Sequence, residues 1–286
     1  FHFELSGSVQ GFMNEDSVEA RNTISINNVK GHSESGERVL ALNYQGLSAG
    51  RFGRVETPTF VPSSDVSSYF DKRGYRLLAT PTLYSGQNIT ARVIAASDNP
   101  SPIDVTLYVK QYNETDELVM LCGDNHTLNA GESTIIEWQV PDTNGNPIAQ
   151  VGVQISGTHG TNGTLYLDYM TWDGAPNITL NRPYERNYNR ATRTKGATMW
   201  KKAWINGLDT RERLTELDFW PETYRLIQNV GRGLFMHGTR DWTDYQVTAT
   251  MTPHMCNAGG LGVHVQGMKR YYALLVSNDK TQIVST

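Results

Sequence analysis

The sequence is poor in cysteine and contains no long apolar run. Its 286 residues include two cysteines, Cys122 and Cys256, which lie far apart and without the spacing of a zinc site. Nothing in the sequence gives geometric support to a disulfide between them, so two free thiols are the simpler interpretation. No apolar stretch approaches the roughly 20 residues that a membrane-spanning helix needs. The sequence therefore predicts no membrane span.

Charge and catalytic motifs are also sparse. The formal net charge of −4 provides no general attraction to nucleic acid or to an anionic membrane. A Gly-x-Ser-x-Gly motif is absent, and Gly259-Gly260-Leu261-Gly262 precedes a strand rather than a helix, which indicates a tight turn and not a phosphate cradle. Three pairs of neighbouring acids lie in or near turns among polar residues, where solvated carboxylates are expected rather than the facing carboxyls of a glycosidase: Glu15-Asp16, Asp116-Glu117 and Asp241/Asp244. No catalytic residue is assigned from the sequence.

Short segments with two-residue alternation dominate the first part of the chain. Leu165–Trp172 places Asp168 between apolar neighbours and ends at the Gly174 turn, as a half-buried strand does. Earlier segments with the same character are Arg38–Tyr44, Gly53–Phe60, Tyr75–Thr80, Asn88–Ala96, Asp104–Tyr112, Ser133–Val140 and Ile148–Ile155. Many short strands separated by Gly, Pro, Asn and Asp predict a β-sandwich of the jelly-roll type over residues 1–178.

A polar, aperiodic segment, residues 179–198, is predicted to be a linker. Strand patterns resume in residues 199–286, after one or two helical turns predicted in Thr210–Leu217. The predicted strands are Leu226–Asn229, Gly233–His237, Tyr245–Met251, Leu261–Gln266, Arg270–Val276 and Gln282–Ser285. The last one would leave an unpaired sheet edge, so we expect this sandwich to be incomplete, in a fragment or a cleaved polypeptide. The predicted fold is all-β, with two β-sandwich (jelly-roll) domains.

Two acids suggest a structural calcium site. The first and last strands of a jelly roll can lie side by side, which would bring Glu4 close to Asp168. Calcium takes six to eight oxygen ligands, and backbone carbonyls of the loop His32–Glu37 could supply some of them. The alternative is an ion-free turn in which Asp168 is hydrogen-bonded to the backbone.

Aromatic residues supply the second candidate site. Adjacent strand residues point to opposite faces, so only one of Tyr271 and Tyr272 can belong to a core. Sugar binding uses an exposed ring together with polar side chains. The candidate ligand-binding residues are His264, Gln266, Arg270 and Tyr272. The alternative for most aromatic residues is core packing.

Five Asn-x-Ser/Thr sequons favour an extracellular, glycosylated protein over an ordinary Asn- and Thr-rich β-protein. They are Asn88, Asn113, Asn125, Asn162 and Asn177. The chain opens at Phe1 without an initiator Met or a signal peptide, from which we expect a mature or cut N-terminus.

Several motifs resemble a known family. In residues 1–178 they are Val55–Phe60, Leu83–Gln87, Trp138–Pro141, Gly145–Gly152 and Leu167–Gly174; in the remainder they are Arg225–Asn229, Gly231-Arg232-Gly233, Trp242–Tyr245 and Gln266–Leu275. The first set resembles the non-catalytic jelly roll of secreted ADP-ribosylglycohydrolase-like proteins and, more distantly, carbohydrate-binding jelly rolls. The second set is similar to a laminin-G or concanavalin-like module. The helical catalytic domain of that family, with its acidic magnesium-binding motifs, has no counterpart in this sequence.

The resemblance implies an accessory region that binds a glycan and accompanies a catalytic domain or further chain of a secreted glycoside-hydrolase-type protein. Two other hypotheses stay open. One is a glycosidase or lyase with a site between the two sandwiches, and the other is a structural spacer. The expected partner is a carbohydrate, and the expected cofactor is structural Ca²⁺ alone.

Overall fold

The computed structural model describes residues 1–15, 23–48, 50–60, 80–157, 159–181, 199–211, 223–277 and 279–286. The protein is all-β, as the sequence predicts. Within these ranges the helical structure is a single short helix, α1, Met199–Lys202. None of the described helices is long and apolar enough to cross a membrane.

Ten strands form the first part of the chain. They are β1 Met13–Asn14, β2 Ile24–Lys30, β3 Arg38–Ser48, β4 Phe52–Pro58, β5 Asn88–Ala95, β6 Ile103–Tyr112, β7 Leu118–Leu128, β8 Ser133–Gln139, β9 Ile148–Ser156 and β10 His159–Asp173. They make two antiparallel five-stranded sheets, which we call the front sheet, in the order β1-β4-β9-β6-β7, and the back sheet, in the order β2-β3-β10-β5-β8.

Alternation along the strands explains how the two sheets pack. Val105, Leu107 and Val109 of β6 are fully buried in the core between the sheets. Thr106, Tyr108 and Lys110 alternate with them and point to the outer surface of the front sheet, since side chains two apart share a face. Burying one aliphatic side chain of this size contributes about 1.5–3 kcal/mol, so the core stabilises the sandwich and fixes which residues face outwards.

The start of the chain lies beside β10, as the calcium hypothesis requires. The Phe1 amino group donates to the Met170 carbonyl at 2.8 Å, and the Met170 amide donates back to the Phe1 carbonyl at 3.0 Å. Phe1 also packs edge-on against Phe12, with ring centroids 5.2 Å apart. The first residues are therefore held against the last strand of the sandwich.

The second part of the chain carries three small sheets. Its strands are β11 Ile205–Gly207, β12 Thr210–Arg211, β13 Leu226–Ile227, β14 Leu234–Met236, β15 Gly259–Gly267, β16 Arg270–Val276 and β17 Thr281–Ser285, paired as β11-β14, β12-β13 and β15-β16-β17. The laminin-G-like fold and the domain boundaries stay predictions.

Some sequence predictions were wrong in this part. Tyr245–Met251 has no regular structure, although its residues alternate, because no neighbouring strand pairs with it among the described residues. Thr210 and Arg211 are in a strand rather than a helical turn. The rest of the predicted helical turns lies outside the described residues. Most of the predicted strand Tyr75–Thr80 and most of the predicted linker also lie outside them.

Aromatic contacts join the second part to the sandwich. The Tyr84 ring packs edge-on against His237 and Trp242, with centroid distances of 5.3 and 4.9 Å. The Thr80 hydroxyl donates to the Gly238 carbonyl at 2.6 Å. Burial lowers the pKa of His237 to about 4, against a weaker opposing effect of its hydrogen bond with the Ala203 carbonyl. This imidazole is therefore neutral at physiological pH.

Candidate functional site

A cluster of charged side chains covers the middle of the front sheet's outer surface, which we call the front face. Arg54 and Glu56 come from β4, Tyr108 and Lys110 from β6, and Glu15 from the residue after β1. The Glu15 amide donates to the Arg54 carbonyl at 3.0 Å, which extends the pairing of β1 with β4 by one residue and fixes Glu15 over the sheet. We refer to these five residues as the charged cluster.

Lys110 lies between the two carboxylates of the cluster. Its Nζ donates to Glu15 Oε1 at 2.6 Å and lies 2.7 Å from Glu56 Oε2. Arg54 Nη1 donates to Glu15 Oε2 at 3.0 Å, and Arg54 Nε donates to Gln154 Oε1 at 2.7 Å. The side chains of the four charged residues are only 5–12% exposed. Two acids and two bases thus neutralise one another while nearly removed from water, which requires this close pairing.

The cations hold Glu15 in its ionised form. Burial alone would raise the pKa of its carboxyl, but hydrogen bonds from Lys110 and Arg54 outweigh burial and lower the pKa below its usual range. The general acid of a glycosidase needs the opposite shift. Glu15 is therefore suited to accepting hydrogen bonds and not to donating a catalytic proton.

Tyr108 lies flat over the neighbouring strand because β9 has no side chain at Gly152. A Cβ at Gly152 would be 2.7 Å from Tyr108 Cζ and 2.3 Å from the Val55 carbonyl oxygen. The ring therefore reaches β4, where its hydroxyl donates to Glu56 Oε2 at 2.9 Å. Burial and the charge of Glu56 raise the pKa of Tyr108 well above its usual value, so the phenol stays protonated and donates.

One polar atom beside the cluster is left unsatisfied. Gln150 pairs with Lys110 in the β6–β9 ladder, so its side chain lies on the front face next to the cluster. Gln150 Oε1 is buried and has no hydrogen-bond partner among the described residues. A buried amide oxygen without a partner costs about 1–3 kcal/mol, and such atoms are unusual in folded proteins. The front face therefore contains a buried acceptor for which the described residues supply no donor.

The structure brings both predicted metal residues to one loop. Asp168 Oδ1 accepts from the Ser33 hydroxyl at 2.6 Å, and Oδ2 accepts from the amides of Glu34 and Ser35 at 3.2 and 3.0 Å. Glu4 accepts from the Glu37 amide at 3.0 Å. The loop thus turns N–H and O–H donors towards both carboxylates, as in the ion-free alternative, whereas calcium would need oxygen ligands in their place. The described residues contain no cluster of three or more His, Cys, Asp or Glu suited to a metal ion.

The four predicted ligand-binding residues lie together on the β15–β16 hairpin. His264, Gln266, Arg270 and Tyr272 are all exposed. Tyr272 is 55% exposed while Tyr271 is buried, which is the division that alternation requires. The His264 amide donates to the Tyr245 hydroxyl at 2.8 Å. No hydrogen bond or ring contact joins the four side chains within the described part of the chain, so their role in binding stays a prediction.

The predicted glycosylation sites lie at the surface. Asn88, Asn125, Asn162 and Asn177 are exposed and Asn113 is half-buried. Asn113 Oδ1 accepts hydrogen bonds from both the amide and the hydroxyl of Thr115, at 2.9 and 2.8 Å. Cys122 and Cys256 are both exposed free thiols. Glycosylation of the five sequons stays a prediction.

A small cavity of about 10 Å³ lies at the junction between the two parts of the chain. Leu83, Tyr84, Thr143, Ile178 and His237 are among its lining residues, and no described residue that lines it is acidic. A glycosidase site needs two facing carboxyls. The described residues that line this cavity do not provide them.

The solved structures to which this chain is similar include carbohydrate-binding modules, all at low sequence identity. No protein-family model and no curated protein matches the chain. A carbohydrate-binding module from the β-sandwich superfamily is 17% identical, with 61% of each chain covered and a TM-score of 0.43. The xylan-binding domain CBM22-1 of Paenibacillus barcinonensis Xyn10C is 10% identical over 62% of this chain and 92% of that domain, with a TM-score of 0.42. The C-terminal family 22 carbohydrate-binding module of Clostridium thermocellum Xyn10B is 11% identical over 61% of this chain and 91% of the module, with a TM-score of 0.41. The chain spans less than two thirds of the first of these structures.

The charged cluster was not predicted from the sequence. The prediction that Glu15 is a solvated turn acid was wrong, because its carboxylate is buried between Arg54 and Lys110. Alternation indicates that Arg54 and Glu56 share a face with each other, and that Tyr108 and Lys110 do the same. It does not reveal that β9 lies between the two strands, because strand order in a jelly roll is not the order of the chain. The one available signal was Gly152 in the middle of a strand, which often marks a close approach of another group.

Proposed function

We propose that the first sandwich binds a neutral glycan on its front face. The unsatisfied Gln150 Oε1 beside the charged cluster is the observation that carries this proposal. Sugar hydroxyls both donate and accept, so one hydroxyl could satisfy this oxygen while another contacts Gln154 or Arg54. Because the cluster balances its own charge, it offers no net attraction to an anionic ligand.

Within this proposal, the chain is an accessory region of a secreted glycoside-hydrolase-type protein, and a catalytic domain or a further chain is its partner. The exposed sequons support an extracellular location and glycosylation. The ADP-ribosylglycohydrolase-like parent and the structural calcium ion are proposals that derive from the resemblance and from the acids Glu4 and Asp168.

Affinity electrophoresis through gels containing soluble xylan or mixed-linkage β-glucan tests the proposal. We expect the full chain to be retarded in at least one gel. Gln150→Ala should bind about tenfold more weakly, a change of roughly 1.4 kcal/mol. Gln266→Ala is the matched control, since it removes the same side chain from the β15–β16 hairpin.

The other outcomes separate the alternatives. Retardation that is lost in Gln266→Ala and kept in Gln150→Ala would place binding on the hairpin and overturn the front-face proposal. An unretarded chain, in these gels and on a broad glycan array, would favour the structural spacer.

A further inference from the structure

A second polar groove lies at one end of the sandwich, away from the charged cluster. It is open to solvent and has a volume of about 310 Å³ between the end of β3, the start of β10 and the loop after β5. Residues lining it are Asn43, Tyr44, Gln45, Asp98, Asn162 and Thr164. Pockets of this volume accommodate small molecules.

The floor of the groove holds a buried hydroxyl without a partner. Tyr44 is 1% exposed, and its hydroxyl oxygen has no hydrogen-bond partner among the described residues. Gly163 gives this hydroxyl its space, because a Cβ there would be 2.2 Å from the Tyr44 oxygen. Burial, with a smaller effect of the Asp98 charge, raises the pKa of Tyr44 to about 12. The hydroxyl is therefore protonated and can donate.

The walls of the groove offer further donors and acceptors. Asn43 Oδ1 accepts from the Thr164 hydroxyl at 3.0 Å, and Asn162 Oδ1 accepts from the Gly46 amide at 2.8 Å. The bond from Thr164 fixes the Asn43 amide and leaves its Nδ2 group without a protein partner within the described part of the chain. Asn162 Nδ2 is the atom to which a glycan at this sequon would be attached. Gln45 and Asp98 are exposed at the rim.

This set of groups selects a class of ligand. Among the described residues the lining contains one carboxylate and no Lys or Arg, so a phosphate or a uronate would meet a repelling charge. The aromatic ring among these residues, Tyr44, is buried, so it offers no platform for stacking a long chain. Several amides and one carboxylate, which can accept from two neighbouring hydroxyls, suit a small neutral polyol.

We propose that this groove is a second saccharide site, which takes one or two neutral sugar units through a vicinal diol held by Asp98, with the Tyr44 hydroxyl beneath. The site is independent of the proposed front face, and either could fail without the other.

The test is an NMR titration of the full chain, ¹⁵N-labelled and made in a bacterial host so that Asn162 carries no glycan. Cellobiose and xylobiose are the probes. We expect a dissociation constant of about 1 mM, with shifts at the amides of residues 43–46 and 162–164. Asp98→Asn and Gln45→Ala should each weaken binding several-fold, and Tyr44→Phe should do the same while its ring stays in the core. Asp173→Asn, a similarly exposed carboxylate elsewhere, should leave binding unchanged.

Two results would overturn the site. One is the absence of shifts at these amides with both sugars, including the case in which only front-face amides respond. The other is a set of shifts at the groove amides whose titration midpoint is unchanged in Asp98→Asn and in Gln45→Ala. Both side chains lie at the surface, so neither substitution is expected to unfold the sandwich.

Discussion

The Tyr108 ring occupies the space that a side chain at Gly152 would fill. An added Cβ would lie 2.7 Å from Tyr108 Cζ, well inside van der Waals contact. This relationship between two strands lets the Tyr108 hydroxyl reach Glu56 and closes one side of the charged cluster.

Gly152→Ala should therefore destabilise the protein by about 1–3 kcal/mol or more, because both the ring and the Val55 carbonyl would have to move. Urea unfolding measures the change. Gly259→Ala is the control, since no atom lies within 4 Å of a Cβ there, and it should change the stability by less than about 0.5 kcal/mol. Equal effects at the two glycines would contradict the packing described for Tyr108.

Lys110→Met should be strongly destabilising because it leaves two buried carboxylates without their shared cation. Removing one partner of a buried ion pair costs about 3–5 kcal/mol. Lys30→Met is the matched control: Lys30 lies 3.4 Å from Glu37 in a pair that is about three-quarters exposed, and such a pair contributes about 0–1 kcal/mol. A loss below 1 kcal/mol for Lys110→Met, measured by urea unfolding, would show that the cluster is not desolvated.

The lowered pKa of Glu15 predicts that the folded protein loses stability in acid. Its pKa is lower in the folded protein than the unfolded value of 4.5, so the unfolded state binds more protons as the pH falls. The stabilisation by Glu15 is complete above pH 4.5 and is lost as the pH falls through the folded-state pKa. Free energies of unfolding between pH 6 and pH 3 should fall more steeply for the wild type than for Glu15→Gln. Parallel curves would show that this carboxyl is not held ionised.

Asp168 fixes the loop between β2 and β3. Asp168→Ala removes the acceptor of the Ser33 hydroxyl and of the Glu34 and Ser35 amides, and hydrogen bonds to a charged group contribute about 1.5–3 kcal/mol each. We expect faster hydrogen exchange at the Glu34 and Ser35 amides and a lower Tm. Asp173→Ala, on the exposed end of β10, should change neither.

The calcium hypothesis has its own measurement. If Glu4 and Asp168 hold Ca²⁺ in solution, adding Ca²⁺ to chelator-treated protein should raise the Tm, because a ligand that binds only the folded state stabilises it. The rise should disappear in Asp168→Asn. A Tm that does not respond would leave hydrogen bonding to the loop as the role of both acids.

Alternation along the chain was sufficient to predict most strands of the sandwich. It was correct where one face packs on a core, as in Ser133–Gln139 and Arg270–Val276. β7 was missed because it is an edge strand whose exposed Leu118 and Val119 break the pattern. Tyr245–Met251 was predicted as a strand and is not, because alternation cannot show that a pairing partner exists.

The site was less predictable than the fold for a physical reason. Glu4 and Asp168 both accept hydrogen bonds from the loop between β2 and β3, and their role as calcium ligands stays a prediction. The charged cluster depends on strand order, which places Gly152 between Glu56 and Tyr108. The number of residues between Glu56, Tyr108 and Gly152 along the chain does not indicate that they are in contact in the fold.

The most direct test of the central claim is a crystal structure of the chain with an oligosaccharide from the polysaccharide that retards it. The account predicts a sugar hydroxyl within hydrogen-bonding distance of Gln150 Oε1, with the ring over β6 and β9 on the front face. A sugar bound only elsewhere, with Gln150 Oε1 still lacking a ligand hydroxyl, would contradict it.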